Sequence, residues 1–337
     1  MRVLVTGGTG FVGGHTVAAL VGAGHHVRLL VRRPQQVPVT LDPLGAEVTD
    51  VVVGDVLDDA SVAAALEGMD AVVHAAAVYT SDPRRREDVA RTNVGATRIV
   101  LGRAVARGLD PVVHVSSTAA LVRRGGSGPD LPLGDMTTTY ARSKVESEVV
   151  ARDLQGKGHP VVCVYPGGVL GPHDPYHGDQ GELIRWLLRG VFPVWPRGGL
   201  HYVDVRDVAA VVLALLEPGR GPRRYVVPGH HLTGTQLYGT LSRVAGRRLP
   251  HVELPGRLLA PPLRALDEVV ARLPARLRYP AESEGVEMIA RDTRMDDRPG
   301  RVELGIEPLP LEDSLRDTAR WLVGSGRLRP ARAPALG

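Results

Sequence analysis

Tyr140 and Lys144 stand four residues apart in Tyr140-Ala-Arg-Ser-Lys144, and that spacing predicts two side chains on one face of a helix. A free phenol has a pKa near 10 and is a poor acid–base at neutral pH. A neighbouring ammonium favours the phenolate, and a tuned acid of this kind contributes roughly 10²–10⁴ in rate. The pair can therefore give a proton to a carbonyl oxygen or take one from a hydroxyl. Upstream, the hydroxyl cluster Ser116-Ser117-Thr118 closes a predicted strand, where a substrate oxygen would be held.

The N-terminal run Thr6-Gly-Gly-Thr-Gly-Phe-Val-Gly13 carries glycines at positions 7, 10 and 13. It follows a predicted strand and opens a predicted helix, the setting in which a Gly-rich run holds a dinucleotide pyrophosphate. Glycine allows the tight turn and the close backbone approach, and the helix start offers free N–H groups and a positive dipole end. A hydride carrier and a proton carrier in one chain are the two halves of alcohol–carbonyl redox chemistry.

The end of the second predicted strand discriminates between cofactors. A carboxylate there hydrogen-bonds the adenosine ribose of NAD. This chain has Val31-Arg32-Arg33 and no nearby acid, and guanidinium suits a phosphate monoester through paired, charge-assisted hydrogen bonds. The expected cofactor is thus NADP(H) rather than NAD(H), with Arg32 the first and Arg33 the second candidate for the 2′-phosphate. Asp55 and Val56, after the third strand, are placed to meet the adenine. Ala75, Ala76 and Ala77, after the fourth, keep side chains small where the cofactor backbone would pass. Lys144 can also reach the nicotinamide ribose.

Elements that would position these groups are legible as alternating apolar runs and helical patterns. Strands are expected at Arg2–Thr6, His26–Val31, Glu47–Val53, Ala71–Ala75, Pro111–Ser116 and Pro160–Tyr165. Helices are expected near Gly10–Ala23, Asp59–Glu67, Glu87–Arg107 and Thr138–Gln155. Continuous apolar strands alternating with helices imply a parallel sheet covered on both faces. The fold class is α/β, a Rossmann doubly wound parallel sheet with a smaller, interlaced C-terminal substrate-binding domain. Residues 1–165 form the dinucleotide domain with a return segment near 201–217; 166–200 and 218–323 form the cap. Residues 324–337, rich in Gly, Pro, Arg and Ala, are expected to end disordered.

Composition narrows the class. At 337 residues, 43% hydrophobic and 23% charged, the chain is an ordinary globular protein. The net charge is +4, and its arginines are scattered or in loops such as Arg84-Arg85-Arg86, so a nucleic-acid footprint is not expected. Cys163 is the only cysteine, and the longest apolar stretch, Val208–Leu216, is too short to span a bilayer. No leader is recognised at the N-terminus. The expectation is a cytoplasmic protein with no stable membrane insertion, no metal site and a small-molecule carbonyl or alcohol substrate. His173-Asp-Pro-Tyr-His177-Gly-Asp179 has metal-ligating residue types but reads as a loop beside the substrate pocket.

The motif set resembles an extended short-chain dehydrogenase/reductase of the NAD-dependent epimerase/dehydratase superfamily. Thr6–Gly13, Asp55, His74-Ala-Ala-Ala77, Asn93-Val-Gly-Ala-Thr97, Ser116–Thr118, Tyr140–Lys144, Pro166 with Gly171-Pro172, and Tyr202-Val-Asp-Val-Arg-Asp207 all fall in family order. Leu30-Val-Arg-Arg33 and Glu303-Leu-Gly-Ile-Glu-Pro308 are similar to the dihydroflavonol-4-reductase-like branch. The resemblance implies hydride transfer at nicotinamide C4, with Tyr140, Lys144 and Thr118 as the catalytic set and Ser117 the runner-up hydroxyl. It implies cofactor contacts from Gly7, Gly10, Phe11, Val12, Gly13, Ser116, Tyr140, Lys144, Pro166 and Val169, with Asn93 supporting the site, and a possible homodimer. One departure is informative: in Tyr165-Pro-Gly-Gly-Val-Leu-Gly-Pro a glycine stands where nucleotide-sugar enzymes of this family carry an Asn. That favours a less polar carbonyl substrate over the alternative, an NAD-dependent nucleotide-sugar epimerase or dehydratase. A non-catalytic NADP-sensing or scaffold protein is the second alternative.

Overall fold

The computed structural model describes residues 1–79, 86–123, 126, 130–270 and 283–336; Arg84 and Arg85 of the basic loop lie outside them. The first half alternates as expected: β1 (Arg2–Thr6), α1 (Phe11–Gly22), β2 (His26–Val31), α2 (Gln36–Leu41), β3 (Asp50–Val53), α3 (Asp59–Ala65), β4 (Ala71–His74), α4 (Arg86–Ala106), β5 (Val112–Val115), α5 (Thr139–Gly156) and β6 (Val161–Tyr165). Then follow β7 (Gly168–Leu170), α6 (Asp179–Arg189), β8 (Val194–Pro196), β9 (Gly199–Asp204), α7 (Val205–Ala214) and β10 (Arg223–Val226). The chain ends with β11 (His230–Thr233), α8 (Gly234–Ala245), β12 (Val252–Leu254), α9 (Gly256–Val270), α10 (Ser283–Arg291), α11 (Arg298–Leu304) and α12 (Leu311–Gly324).

Seven strands pair in the order β10-β6-β5-β4-β1-β2-β3, all parallel. Chain direction across the sheet reverses between β1 and β4, and such a switch point opens a crevice at the carboxyl ends of the strands. Side chains alternate between the two faces along each strand. Val113 and Val115 of β5 join Val17 of α1 and Val208 of α7 in one core. Val112 joins Leu101 of α4 and Ala151 of α5 in the other.

A three-stranded sheet, β11-β9-β7, and a two-stranded one, β12-β8, belong to the second half. Leu187 and Leu188 of α6, Leu237 and Leu241 of α8, and Leu315 of α12 close a separate apolar cluster there. β10 lies within the stretch expected in the cap and pairs with β6 in the central sheet, with Tyr225 buried in one core and Val226 in the other. After α12, Leu328 and Ala333 are buried in the cap cluster.

Candidate active site

β1 delivers the Gly-rich turn to the switch point. Gly7 has φ +76, and a Cβ there would sit 2.6 Å from the Ala76 backbone nitrogen, so the turn after β1 lies directly on the loop after β4. A Cβ on Gly13 would lie 2.1 Å from the Gly7 carbonyl oxygen. Gly10 is the extended N-cap of α1 and supplies no side-chain cap. The N–H groups of Phe11, Val12 and Gly13 in the first turn therefore face outward without intrahelical acceptors. A cavity of about 230 Å³ opens here, bordered by Gly7, Thr9, Gly10, Arg32, Asp55, Val56 and Ala75 to Val78. A cradle closed to side chains, rich in free N–H groups and ending at a guanidinium fits a dinucleotide.

Arg32 borders this cavity, and Arg33 is exposed beside it. Asp55 uses Oδ1 to accept the Leu57 N–H at 2.9 Å. Tyr176, from the loop that the sequence set beside the substrate pocket, and Thr92 of α4 also border the cavity; Thr92 carried no sequence signal. Pro166 accepts the Thr118 N–H at 2.9 Å, tying the end of β6 to the hydroxyl cluster. Val169 sits in β7, packed against the core beneath α1 and α7.

α5 carries Tyr140 and Lys144 on one stripe, with the Lys144 ammonium 5.8 Å from the centre of the Tyr140 ring. Burial pushes the Tyr140 phenol up to about 12; a hydrogen bond with Ser117 opposes the shift and the Glu284 carboxylate adds to it. Burial also draws Lys144 down to about 8, opposed by Glu148. Tyr79 packs edge-on against Tyr140, ring centres 4.5 Å apart.

The three hydroxyls of the cluster part ways. Ser116 continues the strand alternation of Val112 and His114, so its side chain faces α5 and donates to Glu148 at 2.9 Å. Ser117 is half-buried, caps the short 3₁₀ turn by accepting the Ala119 N–H at 3.1 Å, and is the cluster hydroxyl that lowers the Tyr140 pKa against the effect of burial. Thr118 begins that turn and is buried at 2% exposure.

Asn93 joins the two halves of the site. Its Oδ1 accepts the Val78 N–H at 2.8 Å and its Nδ2 donates to the Val78 carbonyl at 3.0 Å. The same Nδ2 donates to the Ser143 hydroxyl at 3.0 Å, and Ser143 donates to the Tyr140 carbonyl at 2.7 Å. Beneath them His74 and His114 are register partners on β4 and β5, stacked at 5.7 Å. Burial holds His74 near 3 and His114 well below the usual imidazole range, with Lys144 adding to both shifts.

With this geometry in hand, the sequence profile of the NAD dependent epimerase/dehydratase family matches residues 3–227. The chain belongs to that family. As an extended short-chain dehydrogenase/reductase it is an NAD(P)-dependent oxidoreductase. It is 30% identical over 332 residues to sterol demethylase protein B of Methylococcus capsulatus, covering 97% of this chain and 100% of that one. It is 27% identical to a 3β-hydroxysteroid dehydrogenase/Δ5→4-isomerase of Mycobacterium tuberculosis, over 91% of this chain and 86% of that one. The structure of DesIV, a dTDP-glucose 4,6-dehydratase from Streptomyces venezuelae with NAD and TYD bound, superposes with a TM-score of 0.74 at 25% identity, covering 98% and 100% of the two chains.

Among the described residues no group of three or more His, Cys, Asp or Glu is placed to hold a metal. Asp174 instead accepts the Tyr176 and Gly178 N–H groups at 3.1 and 2.7 Å, and His177 stacks on Trp321 at 4.9 Å. No helix among the described residues is long and apolar enough to cross a membrane. Glu148 escaped the sequence reading although it continues the four-residue stripe through Lys144. Ser143 escaped it too, inside the motif itself.

Proposed function

We propose that this protein is an NADP(H)-dependent reductase/dehydrogenase of a secondary alcohol–carbonyl pair, with Tyr140 as proton donor or acceptor and Lys144 as its electrostatic partner. The observation that carries the reading is Tyr140 and Lys144 on one stripe of α5, the ammonium 5.8 Å from the phenol ring, with the hydroxyl cluster after β5 beside them. When bound, the nicotinamide supplies or accepts the hydride.

The chain's own residues do the rest. Ser117, with Thr118 as the neighbouring candidate, holds the substrate oxygen against the phenol. Lys144 stabilises the phenolate: with its own proton affinity lowered by burial to about 8, it is charged at neutral pH. The Asn93–Ser143 chain fixes the pitch of the catalytic helix. Support for Arg32 as the partner of a 2′-phosphate comes from its position on the border of the cavity, and neither Arg32 nor Arg33 has an ion pair among the described residues. A glycine where sugar enzymes carry an Asn supports a substrate of low polarity, and the sterol-named relatives agree with that class.

Two measurements test the reading. Titration with NADPH and NADH should show Arg32→Ala weakening NADPH about tenfold or more, with NADH little changed, as expected for loss of a charge-assisted pair. Equal weakening of both would sink the phosphate assignment, and co-purified NAD would favour nucleotide-sugar chemistry. Tyr140→Phe should abolish NADPH-dependent reduction of a ketone or steroid substrate; intact turnover would end the acid–base role.

A further inference from the structure

The first turn of the catalytic helix is capped from another part of the chain. Thr138 is the N-cap of α5 and makes no side-chain cap of its own. Its hydroxyl donates to Glu284 Oε1 at 2.7 Å, and the same oxygen accepts the Ala141 N–H at 3.0 Å. Glu284 thus performs from α10, more than 140 residues away, the role that an Asp or Ser at the N-cap performs locally. Tyr140 lies between the two residues it holds. Met288, one turn further along α10, packs with Tyr140 against the Ala119–Val122–Met136 cluster, so the cap helix meets the catalytic residue through both a carboxylate and an apolar contact.

The geometry points to Glu284 as a positioning residue that caps the catalytic helix from the cap domain and holds the turn that carries Tyr140. This rests on the reading of Tyr140 given above and extends it: a carboxylate at this turn opposes the phenolate, which favours the reductive direction, while a bound cationic nicotinamide would oppose Glu284. The other groups facing Tyr140 are Lys144 from the next turn of α5, Ser117 from the end of β5 and Tyr79 from the loop after β4. The remaining charges nearby are balanced. Arg291 of α10 pairs with Glu287 and with Asp135 ahead of α5, and Arg142 pairs with Glu146 on the exposed side of α5. Glu284 has no ion pair among the described residues, and its charge falls to the N-terminus of α5 to offset.

The test follows Tyr140 directly, without substrate or cofactor, by ¹³Cζ-tyrosine NMR of the full chain, with Tyr140→Phe assigning the resonance. Glu284→Gln removes the charge yet keeps an oxygen that can accept from Thr138 and Ala141. Thr138→Val removes one of the two hydrogen bonds and leaves the charge. The Glu284→Gln spectrum should begin to titrate about half to one pH unit below wild type, the size expected of one partly screened charge, and Thr138→Val should follow wild type. Glu284→Ala is prepared alongside, and whichever variant keeps the wild-type circular dichroism carries the result. Superimposable titrations of wild type and the Glu284 variants, or an equal shift in Thr138→Val, would overturn the inference. Turnover by Tyr140→Phe would instead overturn the reading of Tyr140, and the two failures are separate.

Discussion

Asn93 and Ser143, fifty residues apart, meet inside the protein through a 3.0 Å hydrogen bond from Nδ2 to the serine hydroxyl. The bond matters because each partner reaches a different half of the site, Asn93 holding Val78 beside the cofactor cavity and Ser143 holding the Tyr140 carbonyl. Asn93→Ala removes the partner of the partly buried Val78 N–H and C=O and of the buried Ser143 hydroxyl, and unsatisfied buried groups cost about 1–3 kcal/mol each. We expect a stability loss of about 2–4 kcal/mol and a fall in kcat larger than the change in NADPH affinity. Denaturant titration and cofactor titration of the same variant check this; an unchanged midpoint would mean that water replaces the side chain.

Ser117 and Thr118 compete for the role of substrate-holding hydroxyl. Ser117 is half-buried and is the cluster hydroxyl that lowers the Tyr140 pKa, whereas Thr118 is almost wholly enclosed. Ser117→Ala should therefore cut kcat about a hundredfold to a thousandfold, the loss of one aimed donor at a reacting oxygen, and lose about 0.5–2 kcal/mol of stability with the cap on the Ala119 N–H. Thr118→Val should act mainly on stability. The reverse pattern would return the role to Thr118, the position implied by family resemblance.

Glu148 is fully buried and accepts from Ser116 at 2.9 Å, Tyr165 at 2.5 Å and Arg152 Nε at 2.9 Å. Removing one member of a buried charge pair leaves the other unmatched, at a cost of about 3–5 kcal/mol. Glu148→Ala should approach that loss, Glu148→Gln should lose less because one oxygen still accepts, and Tyr165→Phe about 1 kcal/mol. Urea unfolding of the three variants gives the order. A Glu148→Ala protein within 1 kcal/mol of wild type would show that Arg152 finds solvent instead.

Much of this arrangement was readable from residue order. The strands of the parallel sheet are buried on both faces and so appear as unbroken apolar runs, and the glycine turn and the Tyr–Lys spacing are local patterns. What escaped depends on tertiary contact. Nothing near Glu284 marks it as a cap for a helix starting at Thr139, because the partner lies on another element. The direction of Ser116 follows from the alternation of side chains along β5, which sends its hydroxyl to Glu148 while the chain turns at Ser117. β10, Arg223-Arg-Tyr-Val226, carries too few apolar residues to announce itself, and the burial of Leu328 and Ala333 after α12 depends on the cap cluster they meet.

Asp179 supplies a prediction about pH. It opens α6, where a helix N-terminus would favour its carboxylate, yet burial, with help from Glu182 and Asp174, raises its pKa to about 6 from 3.8. Its Oδ2 is enclosed without a hydrogen-bond partner among the described residues. Because the folded value is raised, the native state binds more protons than the unfolded chain between about pH 4 and pH 6. Stability therefore falls as pH rises through that window and stays reduced above it. Each pKa unit corresponds to about 1.4 kcal/mol; with partial exposure the penalty at neutral pH is on the order of 1–2 kcal/mol. Asp179→Asn removes the charge, so it should be more stable than wild type by that amount at pH 8, with the advantage shrinking at pH 5. Asp207 titrates in the same range, also near 6, and only the difference between variant and wild type isolates Asp179. Guanidinium unfolding at the two pH values provides the measurement. An equal difference at both, or a destabilised variant at pH 8, would mean that the carboxylate is hydrated or engaged and that burial does not dominate at the start of α6.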